Sequence, residues 1–231
     1  MADVFQEADQ LFDEYQFRNC YELLVKQTDR GYETLWRLCR VVYSLSRELV
    51  SDPGKAKQFA ACILEGYDYA VRTLETAPDA SAAHKYYAIF LAEKSGIEGL
   101  RQRVLQLSTI LGHLKKATEL NAVDPFGWFL LGRFYYKLAE LPWFQRKLIH
   151  TFTTDIPDAT FADALRCFER AEQVAANFFA LNHLLLGQAY LAVKDVKSAK
   201  HYLELAANQT APRTADDREA QREATAILRT L

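Results

Sequence analysis

Residues 128–135 read WFLLGRFY and residues 183–190 read HLLLGQAY, and the fold can be predicted from this repeated spacing. In both stretches a leucine precedes a glycine, and a tyrosine follows three residues later. Twelve residues separate Gly187 from Ala199, and thirty-two separate Gly132 from Ala164, a difference of twenty. Such self-similarity predicts repeated helix pairs, with extra residues inserted in the first of the two units.

Small and large residues in these units have distinct packing roles. Gly132 and Gly187 let two helix backbones approach closely, and Ala164 and Ala199 are expected to face them. Large side chains fill the space between pairs, namely Trp128, Leu131, Tyr135 and Phe168. This is the tetratricopeptide pattern. It predicts an all-α, tetratricopeptide-like α-α superhelix (a solenoid) of about five helix pairs plus a C-terminal capping helix.

Composition agrees with a single helical-repeat domain over residues 1–231, with an insertion at about 138–158. Half of the 231 residues are apolar, whereas glycine (9) and proline (6) are scarce, so long helices with short loops are favoured. We predict about twelve helices and no strand. Four side chains of the type that caps helices predict where helices begin: Asp52, Asp124, Asp195 and Thr214.

Charge and apolar patterning exclude several classes of protein. The net charge of −2 excludes a general nucleic-acid binder. No apolar run reaches the roughly 20 residues that cross a bilayer, so we expect a soluble protein with no transmembrane anchor. The four cysteines are scattered without a C-x-x-C pair and are expected to be buried thiols in a reducing compartment: Cys20, Cys39, Cys62 and Cys167.

Motifs for catalysis or cofactor binding are not found in the sequence. It has no G-x-G-x-x-G loop, no G-x-S-x-G turn and no H-E-x-x-H pair. The histidines lack metal-ligand spacing, and His84 and His183 fall near the tryptophan position of their repeats. We therefore expect packed, hydrogen-bonded histidines, no catalytic residue, no metal and no cofactor.

Residues 141–147, LPWFQRK, lie inside the insertion and carry the most specific resemblance. Together with residues 84–89, HKYYAI, they resemble the regulator of microtubule dynamics family. The resemblance implies a cytoplasmic protein of the cytoskeleton and spindle that acts in chromosome segregation, with tubulin, microtubules and mitotic proteins as partners. Some relatives carry an N-terminal membrane anchor and are thought to handle phospholipid, but we expect no such anchor here.

A concave groove is the predicted partner-binding site. Aligned on Trp128, the groove positions are Phe126, Phe129, Arg133, Tyr136 and Lys137 in one unit, and Leu184 and Gln188 in the next, beside Leu181 and Leu191. An open groove of this composition suits an amphipathic helix or a lipid. Burial of the same residues in the core is an equally weighted alternative. The C-terminal helix is expected to cap the repeat, in preference to folding into the groove.

Two segments carry an excess of positive charge. Their candidate microtubule-contacting residues are Arg101, Arg103, Lys115, Lys116, Arg146 and Lys147. Such a basic surface could dock on the acidic tubulin lattice with salt-sensitive affinity. Trp143 and Phe144, beside the last pair, are expected to pin the insertion to the body of the protein.

Three functions remain open at this point. The first is a microtubule-associated, non-catalytic adaptor, for which the inserted motif and the basic segments argue. The second is a phospholipid-binding domain with an apolar concave groove. The third is a peptide-binding scaffold that contacts neither tubulin nor lipid. We favour the first.

Overall fold

The computed structural model describes residues 2–50, 52–152, 156–209 and 212–231. Within these ranges the chain forms twelve α-helices and one short 3-10 helix, and no strand. The predicted all-α helical-repeat fold is therefore confirmed. The chain divides into two compact units, Met1–Leu120 and Asn121–Leu231.

Unit 1 contains three consecutive helix pairs. Its helices are α1 (Ala2–Asp13), α2 (Phe17–Val25), α3 (Tyr32–Arg47), α4 (Ala56–Thr76), α5 (Ser81–Glu98) and α6 (Leu100–Leu120). Each helix packs on the next in the chain, and α3 also touches α5. The interior consists of fully buried aliphatic and aromatic side chains, among them Leu24, Leu35, Leu38, Ile63 and Phe90.

Unit 2 contains two helix pairs, an inserted helix and a terminal helix. Its helices are α7 (Pro125–Ala139), α8 (Trp143–Phe152), α9 (Phe161–Val174), α10 (Ala180–Ala192), α11 (Val196–Ala207) and α12 (Ala215–Leu228). The pairs are α7 with α9 and α10 with α11, and α9 packs on α10 between them. The inserted helix α8 separates the two members of the first pair in sequence.

Glycines allow the close approach of helices that the repeat pattern predicts. A Cβ added at Gly132 would lie 2.6 Å from Cδ1 of Phe168. A Cβ added at Gly187 would lie 2.5 Å from Cγ of Leu203 and 3.3 Å from the Ala199 carbonyl oxygen. The distances to Phe168 and Leu203 are shorter than any side-chain contact allows, so only glycine fits without a shift of its neighbours.

Helix starts follow the predicted capping side chains. The carboxylate of Asp124 accepts a hydrogen bond from the Phe126 amide at the start of α7, and Asp195 accepts one from Ser198 at the start of α11. Thr214 forms a full capping box with Asp217 before α12. Asp52 starts the 3-10 helix Pro53–Lys55, which leads into α4.

No helix in the described ranges combines the length and the apolar character needed to cross a membrane. The cysteines are all free thiols. Cys20, Cys39 and Cys167 are buried, whereas Cys62 is half-buried on α4. Burial raises the pKa of the Cys39 and Cys167 thiols to about 12.

Candidate functional site

An aromatic cluster fills the position where the sequence predicted an apolar groove. Phe129 is 1% exposed, and its ring lies 4.9 Å from that of Phe179 in an edge-on arrangement. Tyr136 packs edge-on against Phe161 at 5.4 Å. Because these rings pack between α7, α9 and the start of α10, they form the core of unit 2.

Three of the seven residues predicted to line an open groove are buried in the core instead. Phe129, Tyr136 and Leu184 are all less than a tenth exposed, as is the neighbouring Leu181. A partner cannot contact side chains whose surface is already covered by the protein itself. The rings are buried in the core and do not line an open groove, because burying each ring removes a large apolar area from water.

Four predicted groove residues keep some solvent exposure. Phe126 stacks on Phe129 at 5.6 Å and is half-buried, as are Arg133 and Gln188. Lys137 is exposed, and its ammonium lies 2.9 Å from Oε2 of Glu140. The accessible residues of the predicted groove are therefore mostly polar.

The terminal helix α12 packs against both α10 and α11. Ala220 and Ala224 on its inner face are fully buried. Burial raises the pKa of Tyr136 to about 12, with further contributions from the carboxylates of Glu140 and Glu223. These contacts are those of a helix that ends a repeat stack, as the sequence predicted.

Helix α6 presents four of the predicted cations to solvent: Arg101, Arg103, Lys115 and Lys116. Its single carboxylate is Glu119, whose Oε2 lies 3.9 Å from the Lys116 ammonium. In the described part of unit 1 the other three cations form no ion pair. Fourteen residues separate Arg101 from Lys115, which places the two cation pairs about 21 Å apart along the helix.

The insertion helix α8 carries the remaining predicted cations, of which Lys147 is exposed and Arg146 half-buried. Trp143 and Phe144 were expected to pin this helix to the body, and this expectation is wrong. Trp143 is 71% exposed and Phe144 is 56% exposed. Ile149 is the buried side chain among those described on α8, so the aromatic pair remains on the surface.

Two histidines that look isolated in sequence are neighbours in the fold. Nδ1 of His84 on α5 lies 2.8 Å from Nδ1 of His113 on α6. Nε2 of His84 donates to the carbonyl oxygen of Pro78 at 2.7 Å, so Nδ1 of a neutral His84 accepts the proton of His113. Burial lowers the pKa of His113, and electrostatic interaction with the nearby His84 lowers it further. In the described chain no three ligating side chains converge as a metal site would require.

The buried histidine of unit 2 also has a polar neighbour. Nε2 of His183 lies 3.1 Å from Oε2 of Glu172. The adjacent Asn182 is fully buried, and its amide donates to the carbonyl oxygen of Phe168. This cluster joins α9 to α10 and is part of the packing of unit 2.

The aromatic surface of α8 is the feature that sequence reasoning missed. A Trp-Phe pair followed by Arg-Lys fits a buried anchor and an exposed patch equally well. The sequence does not say whether another helix covers the two rings. In the structure α8 has only slight contact with the other described helices. The sequence signal that was available is the lack of acidic residues between Glu140 and Asp155.

Solved structures define the class of protein. A tetratricopeptide repeat protein of Thermus thermophilus superposes with a TM-score of 0.63 over 97% of this chain and 98% of its own. The two sequences are 14% identical, so the likeness shows the fold alone. The chain is thus a tetratricopeptide-like helical-repeat protein.

Sequence comparison gives the family. The family model described as Regulator of microtubule dynamics protein 1-3 matches residues 4–231. Regulator of microtubule dynamics protein 1 of Mus musculus is 34% identical over 230 residues, which cover 99% of this chain and 74% of the relative. Regulator of microtubule dynamics protein 2 of Bos taurus is 28% identical over 232 residues, which cover 99% of this chain and 55% of the relative. This chain belongs to the regulator of microtubule dynamics protein family.

Proposed function

We propose that this protein is a non-catalytic adaptor that associates with microtubules. The observation that carries the proposal is the exposed basic surface of α6, in a chain whose relatives are named as regulators of microtubule dynamics. Four cations and one carboxylate give α6 a positive field on a protein of net charge −2. Such a field attracts an acidic lattice at long range and weakens as salt screens it.

The proposed setting is the cytoplasm, on the cytoskeleton and the spindle, with a role in chromosome segregation and with tubulin and mitotic proteins as partners. The repeat surface would supply the partner contacts. Within unit 2 the candidates are the accessible residues Phe126, Arg133, Lys137 and Gln188. We do not extend the proposal to a lipid in the concave groove, because its apolar side chains Phe129, Tyr136 and Leu184 are buried.

Co-sedimentation with stabilised microtubules across a salt series tests the proposal. Reversing two cations of α6, in R101E/R103E or in K115E/K116E, should weaken binding several-fold at low salt and flatten its salt dependence. The matched control K200E/R222E makes the same change in net charge at exposed sites on α11 and α12. Equal weakening by the control would mean that only net charge matters, and absence of binding by the unaltered protein would remove the proposal.

A further inference from the structure

At its N-terminal end, helix α8 exposes two aromatic side chains with a cation between them. Trp143 and Phe144 lie with ring centroids 6.3 Å apart, in an edge-on arrangement. Lys147 follows Trp143 by four residues and Phe144 by three, so on the helix it is a neighbour of both. We call these three side chains the outer face of α8.

The outer face of α8 has no internal partner in the described structure. In that part of the chain neither Arg146 nor Lys147 forms an ion pair, and the sequence holds no carboxylate between Glu140 and Asp155. Packing inside unit 2 occurs instead through Ile149, which is 7% exposed. Large aromatic side chains left in water next to such cations are typical of a surface that another molecule covers.

The composition of the outer face of α8 indicates the chemistry of the molecule that covers it. Aromatic side chains are enriched in protein interfaces, and tryptophan is enriched among the few residues that carry most of the binding energy. Lys147 and Arg146 favour a negatively charged partner, whose charge is complementary to theirs. A bilayer fits less well, because Lys147 lies between the rings, whereas a helix that lies in a membrane interface carries its cations on the face opposite to its aromatic residues.

We infer that the outer face of α8 is the apolar anchor that docks on the acidic protein surface of a microtubule. The inference rests on the proposed function and adds to it a contact that salt does not screen. The cations of α6 attract the lattice at long range, whereas burial of Trp143 and Phe144 slows dissociation. Loss of an aromatic anchor acts mainly on the dissociation rate.

The test compares the full chain with W143S/F144S in microtubule co-sedimentation. The double variant should bind at least about tenfold more weakly at about 0.15 M salt, and the ratio should persist as salt rises. At high salt the microtubule affinity of the charge-reversal variants of α6 should instead approach that of the unaltered protein. Far-UV circular dichroism checks that the variants fold, which is expected because both side chains are exposed.

Two matched controls remove exposed apolar groups elsewhere. Phe152 is on α8 but turned away from the outer face, and it is 59% exposed. Val123 precedes α7 and is also well exposed. F152S and V123S should bind microtubules within about twofold of the unaltered protein. Equal losses in all variants would overturn the inference, because they would show a general apolar effect.

The remaining outcomes separate the inference from the proposed function. If the unaltered protein binds and W143S/F144S binds equally well, the inference fails and the proposed function stands. If the unaltered protein does not bind microtubules, both fail. Flotation of the protein with phosphatidylserine vesicles, abolished in W143S/F144S while microtubule binding is retained, would assign the outer face to a membrane and overturn the inference.

Discussion

At Gly132 the backbone of α7 meets the ring of Phe168 so closely that one added carbon would overlap it. The same glycine is one of two that repeat in the sequence, so the residue could be predicted together with its role. Gly66 has the same role on α4, where an added Cβ would lie 2.1 Å from Cε1 of Phe90. It could not be predicted, because Phe90 lies in the next helix pair and no repeat motif surrounds Gly66.

The first prediction concerns G132A. Overpacking against Phe168 should lower the free energy of unfolding by about 1–2 kcal/mol, after a partial offset from the better helix propensity of alanine. Urea denaturation measures the change. G112A is the control, because a Cβ there meets nothing within 4 Å, and it should raise stability by about 0.5–1 kcal/mol. A stabilised G132A would contradict the packing described for α7 and α9.

The second prediction concerns the charge of Asp9. Burial raises the pKa of this carboxyl, but hydrogen bonds from Arg37 and the charge of Arg40 outweigh it, and the net pKa is lowered. A carboxyl with a lowered folded pKa stabilises the protein above its unfolded pKa of about 3.9, and this contribution is lost as pH falls through the folded pKa.

D9N should therefore be less stable than the unaltered protein at pH 7, and the difference should shrink as pH falls below about 4. Thermal denaturation over a pH series measures it. The control is D68N, because Asp68 is exposed and lies 3.8 Å from Arg72, a geometry that contributes little. A gap between D9N and the unaltered protein that is constant with pH would contradict an ionic role for Asp9.

Among the features of the helices, the positions where they begin are the most predictable from sequence. A capping side chain and its helix are adjacent in sequence, so Asp124 and Asp195 reveal their helices without knowledge of the rest of the fold. The exposed face of α8 and the burial of Phe129 could not be obtained this way. Both depend on which distant segments cover them, such as the Phe179 ring that reaches α7 from the start of α10.

The third prediction tests one such start. The Thr160 hydroxyl accepts from the Asp163 amide at 3.2 Å, and the Asp163 carboxylate accepts from the Thr160 amide at 2.8 Å. T160A should cost about 1 kcal/mol of stability, because it leaves an orphan amide at the start of α9. The control T109A removes an exposed hydroxyl inside α6 and should be neutral or slightly stabilising. Urea denaturation of both variants measures the two changes, and an equal effect of T160A and T109A would contradict the capping role of Thr160.

At the scale of the molecule, the two units are each built around their own core. Phe90 and Ile63 are fully buried in unit 1, and Phe168 and Leu203 in unit 2. The sequence predicted one continuous repeat domain, because the repeat spacing runs through residues 117–128 without a change in composition. The boundary between the two units, after Leu120, is a property of three-dimensional packing that repeat spacing does not record.

The fourth prediction follows from these separate cores. Fragments 1–120 and 121–231, each expressed alone, should be helical by circular dichroism and should unfold cooperatively in urea. Each fragment keeps its own buried apolar side chains, which supply most of its stability. A fragment that shows a sloping transition with no cooperative step would mean that its core depends on the other half of the chain.

The three sealed cysteines have a practical consequence for studying this protein. Burial raises the pKa of all four thiols, but Cys20, Cys39 and Cys167 are also enclosed, whereas Cys62 on α4 is partly open to solvent. A maleimide fluorophore should therefore attach at Cys62 in the native chain, and no engineered cysteine background is needed. One dye at a known place would let energy transfer report how far α4 lies from a labelled filament.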